Sequence, residues 1–219
     1  MVITKIEYQK KDPERVNIYV DGEFFCGISL NVLAKENLYE GLTVDEQTLD
    51  RILKEDLESR FMNRAVEYLS HTIKTEFQVR QYLKNLKFKK KDVWFNENIQ
   101  LDWDLLFEQI IDSLKKYKYI DDEEFAHAFV QSRLNVKPRG KSVLISELLS
   151  KGVSKEIAQR VCDEEITDEL EVLRNAFRKR FKDEKFNIQN QKMVGYLLRK
   201  GFSWDLIEQF ERNESEKYE

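Results

Sequence analysis

The chain has 219 residues, a formal charge of −4, 41% hydrophobic and 36% charged residues, and only seven glycines and two prolines. This is enough apolar matter for a core, with few breakers, so a mainly α protein of long helices is expected. The acidic balance argues against indiscriminate nucleic-acid binding. No signal peptide opens the chain and no run approaches the roughly 18 apolar residues of a membrane helix, so a soluble, cytoplasmic protein without membrane contact is expected.

The first thirty residues differ from the rest. Ile3, Ile6 and Tyr8 mark a short strand, and Val16, Ile18 and Val20 alternate with Asn17 and Tyr19 as a half-buried strand does. Asp21-Gly22 supplies a hairpin turn and Glu23–Ile28 a third strand. Such a small β-hairpin or three-stranded element must pack on a helix to be stable. Helix follows from about Leu30. Thr43 to Glu46 has the spacing of a capping box, and Leu49, Ile52, Leu53, Leu57, Phe61 and Ala65 recur at helical spacing, as one long helix or two.

Beyond this the chain repeats itself. Glu147-Leu148-Leu149-Ser150-Lys151-Gly152-Val153-Ser154 matches Tyr196-Leu197-Leu198-Arg199-Lys200-Gly201-Phe202-Ser203, and Tyr82-Leu83-Lys84-Asn85-Leu86-Lys87-Phe88 is a weaker copy. Each reads as a helix end, a left-handed stop at glycine, an apolar residue folding back, and a serine that caps the next helix. The pattern predicts three tandem three-helix repeats: 57–72, 75–87 and 103–117; then 122–136, 140–151 and 154–166; then 167–183, 189–200 and 203–213. Thr75 with Gln78 and Asp121 with Glu124 add capping boxes. The domains expected are 1–56, 57–120, 121–166 and 167–213, with a frayed tail at 214–219. In the first repeat Lys87 takes the glycine position. There an insert at 89–102, with three consecutive lysines and Trp94-Phe95, is either a specialised contact or an excursion packed on the body.

Catalytic signatures are missing from this pattern. There is no phosphate-binding glycine loop and no paired-histidine zinc motif. His71 and His127 sit within predicted helices with no nearby cysteine. Cys26 and Cys162 belong to no metal or redox spacing and read as reduced, half-buried thiols. The acidic runs 121–124 and 163–165 read first as solvated faces, and the former as a helix start. No cofactor, metal or enzymatic activity is expected.

Charge is unevenly spread. Residues 1–56 carry seven basic and twelve acidic side chains, whereas residues 57–120 carry twelve and nine. Three basic clusters stand out. Arg133, Lys137, Arg139 and Lys141 span a predicted helix end and a loop containing Pro138 and Gly140. Arg174, Arg178, Lys179, Arg180 and Lys182 follow in the third repeat, with Arg174, Arg178 and Lys182 at i,i+4 spacing. Lys84, Lys87 and Lys89 to Lys91 form the last. A charge run is usually a solvated face. The loop cluster departs from that, because guanidinium forks and backbone amides there can meet phosphates or carboxylates together.

The stretch from Tyr117 through Ile120 to Ala126, with Arg133, Lys137 to Gly140, and Glu147 to Val153, resembles the RecX family of bacterial regulators of the RecA recombinase. Ala65 to Ser70 and Tyr196 to Phe202 resemble it too, so the likeness covers about residues 60–210 and is strongest in the middle repeat. The resemblance implies a curved, elongated body, acting as a monomer, that lies along the groove of the RecA filament on single-stranded DNA. It implies suppression of strand exchange, ATP hydrolysis and co-protease activity, without enzymatic activity of its own. The contact residues expected on this basis are Arg133, Lys137, Arg139, Lys141, Lys151, Arg174, Arg178 and Lys182, bonded to acidic RecA side chains or to DNA phosphate. Two other readings start from the same clusters: a protein that binds DNA directly and competes with RecA for it, and a helical scaffold for another partner.

Overall fold

The computed structural model describes residues 1–91, 93–95, 101–182 and 184–215. Parts of the expected insert (92 and 96–100) and most of the expected tail (216–219) lie outside the described residues. The chain is mainly helical, with a three-stranded antiparallel sheet at its start. It divides into two compact units. Unit 1 holds Met1–His71 and Gln81–Tyr117, and unit 2 holds Thr72–Arg80 and the residues from Lys118 onward.

In unit 1, strands β1 (Ile3–Tyr8), β2 (Arg15–Val20) and β3 (Glu23–Ser29) pair in sequence order. The turn between β2 and β3 has positive φ at both central residues, 49° at Asp21 and 92° at Gly22, as a tight hairpin following the strands' twist requires. The alternation read from the sequence holds: Val16, Ile18 and Val20 are buried. They share a core with α1 (Leu30–Lys35) and with Leu49 and Ile52 from the first half of α2. Helix α2 runs unbroken from Glu46 to Ser70, so residue 56 lies inside it.

The expected capping box at Thr43 does not form. Thr43 is instead paired with Val2 as an isolated β-bridge, and Asp45 caps α2 by accepting from the Thr48 amide at 2.8 Å. Local spacing pointed to Thr43, but backbone pairing with the chain's second residue claims it. Helix α3 (Glu76–Lys90) and α4 (Trp103–Lys116, capped by Asp102) complete the first repeat. Trp94 and Phe95 of the insert pack inward, with ring centroids 5.4 Å from Phe61 and 4.5 Å from Trp103 respectively.

Unit 2 carries the second repeat, α5 (Asp122–Val136), α6 (Lys141–Ser150) and α7 (Lys155–Glu165). The third repeat follows as α8 (Glu169–Phe181), α9 (Gln191–Arg199) and α10 (Trp204–Ser215). Each has its own apolar core. Both glycine stops form as expected, with φ of 88° at Gly152 and 91° at Gly201. The amides of Val153 and Phe202 reach back to the carbonyls of Leu148 and Leu197 at 3.2 and 3.3 Å, the six-to-one bond of a left-handed helix stop. Val153 and Phe202 are buried. Ser154 then caps α7, and the Ser203 hydroxyl accepts from the Leu206 amide at the start of α10.

Successive repeats are joined in a similar way twice, by a hydroxyl on the glycine stop and an amide on a first-turn acid. Thr75 closes the predicted box with Gln78, and its hydroxyl also donates to the Lys151 carbonyl at 2.6 Å. The next amide, at Glu76, donates to Asp122 in the first turn of α5 at 2.8 Å. One repeat later the Ser142 hydroxyl donates to the Gly201 carbonyl at 2.7 Å, and the Lys141 amide donates to Glu169 in the first turn of α8 at 2.7 Å. The start of each second helix is thus docked on the glycine stop of the next repeat. A Cβ at Gly152 would lie 2.2 Å from Phe77 Cβ, and one at Gly201 2.6 Å from Val143 Cγ2. Alanine at either glycine combines positive-φ strain with this clash and is expected to cost about 1–3 kcal/mol, read as a lower urea midpoint with unchanged slope.

Both cysteines are buried. Burial first, then Asp56, pushes the Cys26 thiol up to about 12. Burial and Asp163 push Cys162 up to about 11. At pH 8 neither forms appreciable thiolate, so the folded protein is expected to resist iodoacetamide while the urea-unfolded chain takes two equivalents. Prompt labelling of the folded protein would contradict this burial.

Candidate functional site

The loop between α5 and α6 gathers several positive charges of unit 2. Helix α5 ends at Val136 because Pro138 cannot continue it, and Lys137 leaves the helical region with φ −139° and ψ 75°. Pro138 is buried, leaving Lys137 exposed beside it. Gly140 opens α6 without a side-chain cap, and its amide donates to the Lys200 carbonyl at 2.9 Å. A Cβ there would lie 2.4 Å from the Gly201 carbonyl oxygen, so only glycine lets the loop approach the third repeat so closely.

Around this loop, Arg133 Nε donates to Glu147 Oε2 at 3.0 Å, and Arg139 donates to the other oxygen of the same carboxylate. One acid from α6 therefore holds two guanidiniums. The Arg133 guanidinium also sits 4.7 Å from the Phe129 ring centroid, and the Lys151 ammonium lies 5.4 Å from the same centroid. Lys200 enters from the third repeat, its ammonium 5.4 Å from the Tyr196 ring. Burial, and then the charges of Arg139 and Lys137, push the Lys200 pKa below the ordinary lysine range, with Glu147 acting in the opposite sense. Arg133 and Arg139 thus share one carboxylate, Lys200 lies within electrostatic reach of Arg139, Lys137 and Glu147, and Lys151 shares the Phe129 ring with Arg133. Such a surface suits multidentate binding of carboxylate or phosphate oxygens.

The remaining expected contact residues are placed differently. Lys141 donates to Asp163 at 2.7 Å, so its charge is partly neutralised within the chain. Arg174 Nε lies 3.6 Å from a Glu214 oxygen of α10. Arg178 is exposed on α8. Lys182 does not extend that helical face. It is the C-cap residue of α8, and its φ of 54° takes the chain off the right-handed path. Lys179 links α8 to the cluster by donating to the Asn135 carbonyl at the end of α5.

Three members of the site were not picked out by local reading. Lys200 was legible in principle, since it holds the position of Lys151 in the repeated motif. Glu147 and Phe129 carried no such signal, because an acid-free run says nothing about carboxylates arriving from another helix. The acidic runs have ordinary partners: Asp121 caps α5, Asp163 pairs with Lys141, and Glu165 holds His127 Nδ1 at 2.6 Å. Among the described residues no group of His, Cys, Asp and Glu has the arrangement of a metal site, and no helix is long and apolar enough to cross a membrane.

Comparison with known proteins adds the following. The family model for the regulatory protein RecX N-terminal domain matches residues 1–45. Those for the RecX second and third three-helix domains match residues 121–161 and 167–210. Regulatory protein RecX of Bacillus cytotoxicus is 35% identical over 216 residues, covering 94% of this chain and 74% of the relative. Regulatory protein RecX of Clostridioides difficile is 30% identical, covering 94% and 92%. A crystal structure of regulatory protein RecX superposes with a TM-score of 0.70 at 24% identity, covering 96% of this chain and 98% of that one. RecX from Lactobacillus salivarius gives a TM-score of 0.57 at 23% identity, covering 72% and 96%. At those identities the solved structures speak for the fold alone. The match at 1–45 extends the likeness beyond residues 60–210 to the β element.

Proposed function

Because the chain belongs to the RecX family of regulatory proteins, we propose that it binds the RecA filament on single-stranded DNA and restrains its recombinase, ATPase and co-protease activities. The observation carrying this reading is the pairing of Arg133 and Arg139 on the Glu147 carboxylate, with Lys200 in electrostatic reach of Arg139, Lys137 and Glu147 and Lys151 sharing the Phe129 ring with Arg133. That surface draws on two repeats and suits acidic side chains or backbone phosphates of a polymer that presents the same groups again and again. Lys141, Arg174, Arg178 and Lys182 make no contact with Glu147 or Phe129 and contribute less. The protein acts by binding, in the cytoplasm and without a cofactor.

The test is RecA ATPase on single-stranded DNA with this protein titrated in at two salt concentrations. Inhibition that saturates, and weakens at higher salt, supports the reading. An ATPase rate unchanged across the titration removes RecA as the partner.

A further inference from the structure

The first repeat breaks the glycine-stop rule, and the consequence lies on its surface. Leu83, Leu148 and Leu197 occupy the same motif position and are all 0% exposed. Five residues on, Val153 and Phe202 are each 2% exposed because glycine turns them back into their cores, whereas Phe88 is 84% exposed. Lys87 stands where glycine would be, the helix does not stop, and α3 continues to Lys90. The residue that plugs the core in the other repeats is here presented to solvent.

Its surroundings are basic and aromatic. Residues 84–91 contain five lysines and no acid. Lys84, Lys87, Phe88 and Lys91 fall on one helical face and line a groove of 370 Å³ with Phe95, Trp103 and Phe107. The Lys87 ammonium sits 4.6 Å from the Trp103 ring centroid, and Trp103 in turn packs against Phe95 at 4.5 Å. Among the described residues lining it, Asp104 is the single carboxylate. The groove lies wholly within unit 1. An exposed aromatic ring flanked by ammonium groups is the arrangement that holds an unpaired base and its neighbouring phosphates together. An acidic peptide would satisfy the lysines but leave the ring in water.

We infer that this groove is a single-stranded nucleic-acid site, with a base stacked on Phe88 and phosphates held by Lys84, Lys87 and Lys91. It extends the reading above by giving the first repeat a direct contact with the strand, but its test needs no RecA. The probe is a labelled oligothymidylate followed by fluorescence anisotropy with the full chain over a salt series. Phe88→Ala is expected to weaken binding about fivefold or more, and Phe88→Trp to restore it. Lys84→Gln and Lys87→Gln are each expected to lower the slope of log affinity against log salt by about 0.7. A duplex of the same length should bind without sensitivity to Phe88, because its bases are already stacked. Phe88 is so exposed that circular dichroism should not distinguish the alanine variant from the parent.

The inference falls if the oligonucleotide fails to bind, if Phe88→Ala binds as the parent does, or if polyglutamate displaces the strand with equal loss in both. Phe88→Ala leaves Arg133 and Arg139 in place, so its loss of strand binding is read against an intact second cluster. A failure at the groove therefore differs from a failure of the RecA reading, which appears only in the ATPase titration.

Discussion

Replacing Asp56 with alanine is expected to lower the unfolding free energy by about 3–5 kcal/mol. Asp56 is 3% exposed and reaches across from α2 to the sheet. It accepts from Arg15 at 3.0 and 2.9 Å, from Arg60 at 2.6 Å and from the Ser29 amide at 3.0 Å. Both guanidiniums also donate to the Gly27 carbonyl, at 2.6 and 2.8 Å. Burial already lowers the Arg60 pKa, and Asp56 is the main group holding it up. Without the carboxylate, two positive charges share only the neutral Gly27 carbonyl at the sheet. Asp56→Asn retains the shape and some of the hydrogen bonds and should fall between the parent and the alanine variant. Adding Arg60→Met to Asp56→Ala should recover part of the loss by removing one stranded charge. Urea unfolding measures all three. A loss below about 1 kcal/mol for alanine would mean that water, not Asp56, satisfies these arginines.

Reversing Arg133 and Arg139 to glutamate is expected to weaken inhibition of RecA ATPase at least about tenfold, equivalent to 1.4 kcal/mol of binding, with helicity preserved. The geometry adds a control. Both arginines hold Glu147, so the reversal sets three carboxylates together and strains the α5–α6 corner as well as removing the positive surface. Arg133→Gln with Arg139→Gln and Glu147→Gln removes that repulsion and keeps amides able to hydrogen-bond one another. It should still lose most of the inhibition, because neutral amides bind carboxylate or phosphate poorly compared with guanidinium forks. If both variants inhibit as the parent does, these residues are not the contact. Lys200 offers a parallel handle, since its charge is already disfavoured by burial and its cationic neighbours.

What could be read from the sequence was what local chemistry decides. Gly152 and Gly201 announce their helix stops because positive φ is a property of the residue itself, and Thr75 with Gln78 closes a box within one turn. The boundaries of the second and third repeats followed from such signals. Contacts between distant segments were not legible. Thr43 had the right spacing for a cap, yet a bridge to Val2 claims it. Asp56 looked like one more acid in an acidic segment, because Arg15 lies 41 residues upstream of it. At the candidate site the basic residues were visible and their restraint was not: Glu147, Asp163 and Glu214 reach them from other helices. Lys87 was noticed as a departure, but only the uninterrupted α3 reveals that it turns Phe88 outward.

The paired joint between repeats gives the molecule a polarity. Two second helices, α3 and α6, hand their opening amides to an acid of the module that follows, through Glu76 to Asp122 and Lys141 to Glu169. In the third repeat the start of α9 is closed from within, by Asn190 accepting from Lys192 and Met193. The donors at both joints therefore point one way along the chain, from a second helix to the acid of the module after it.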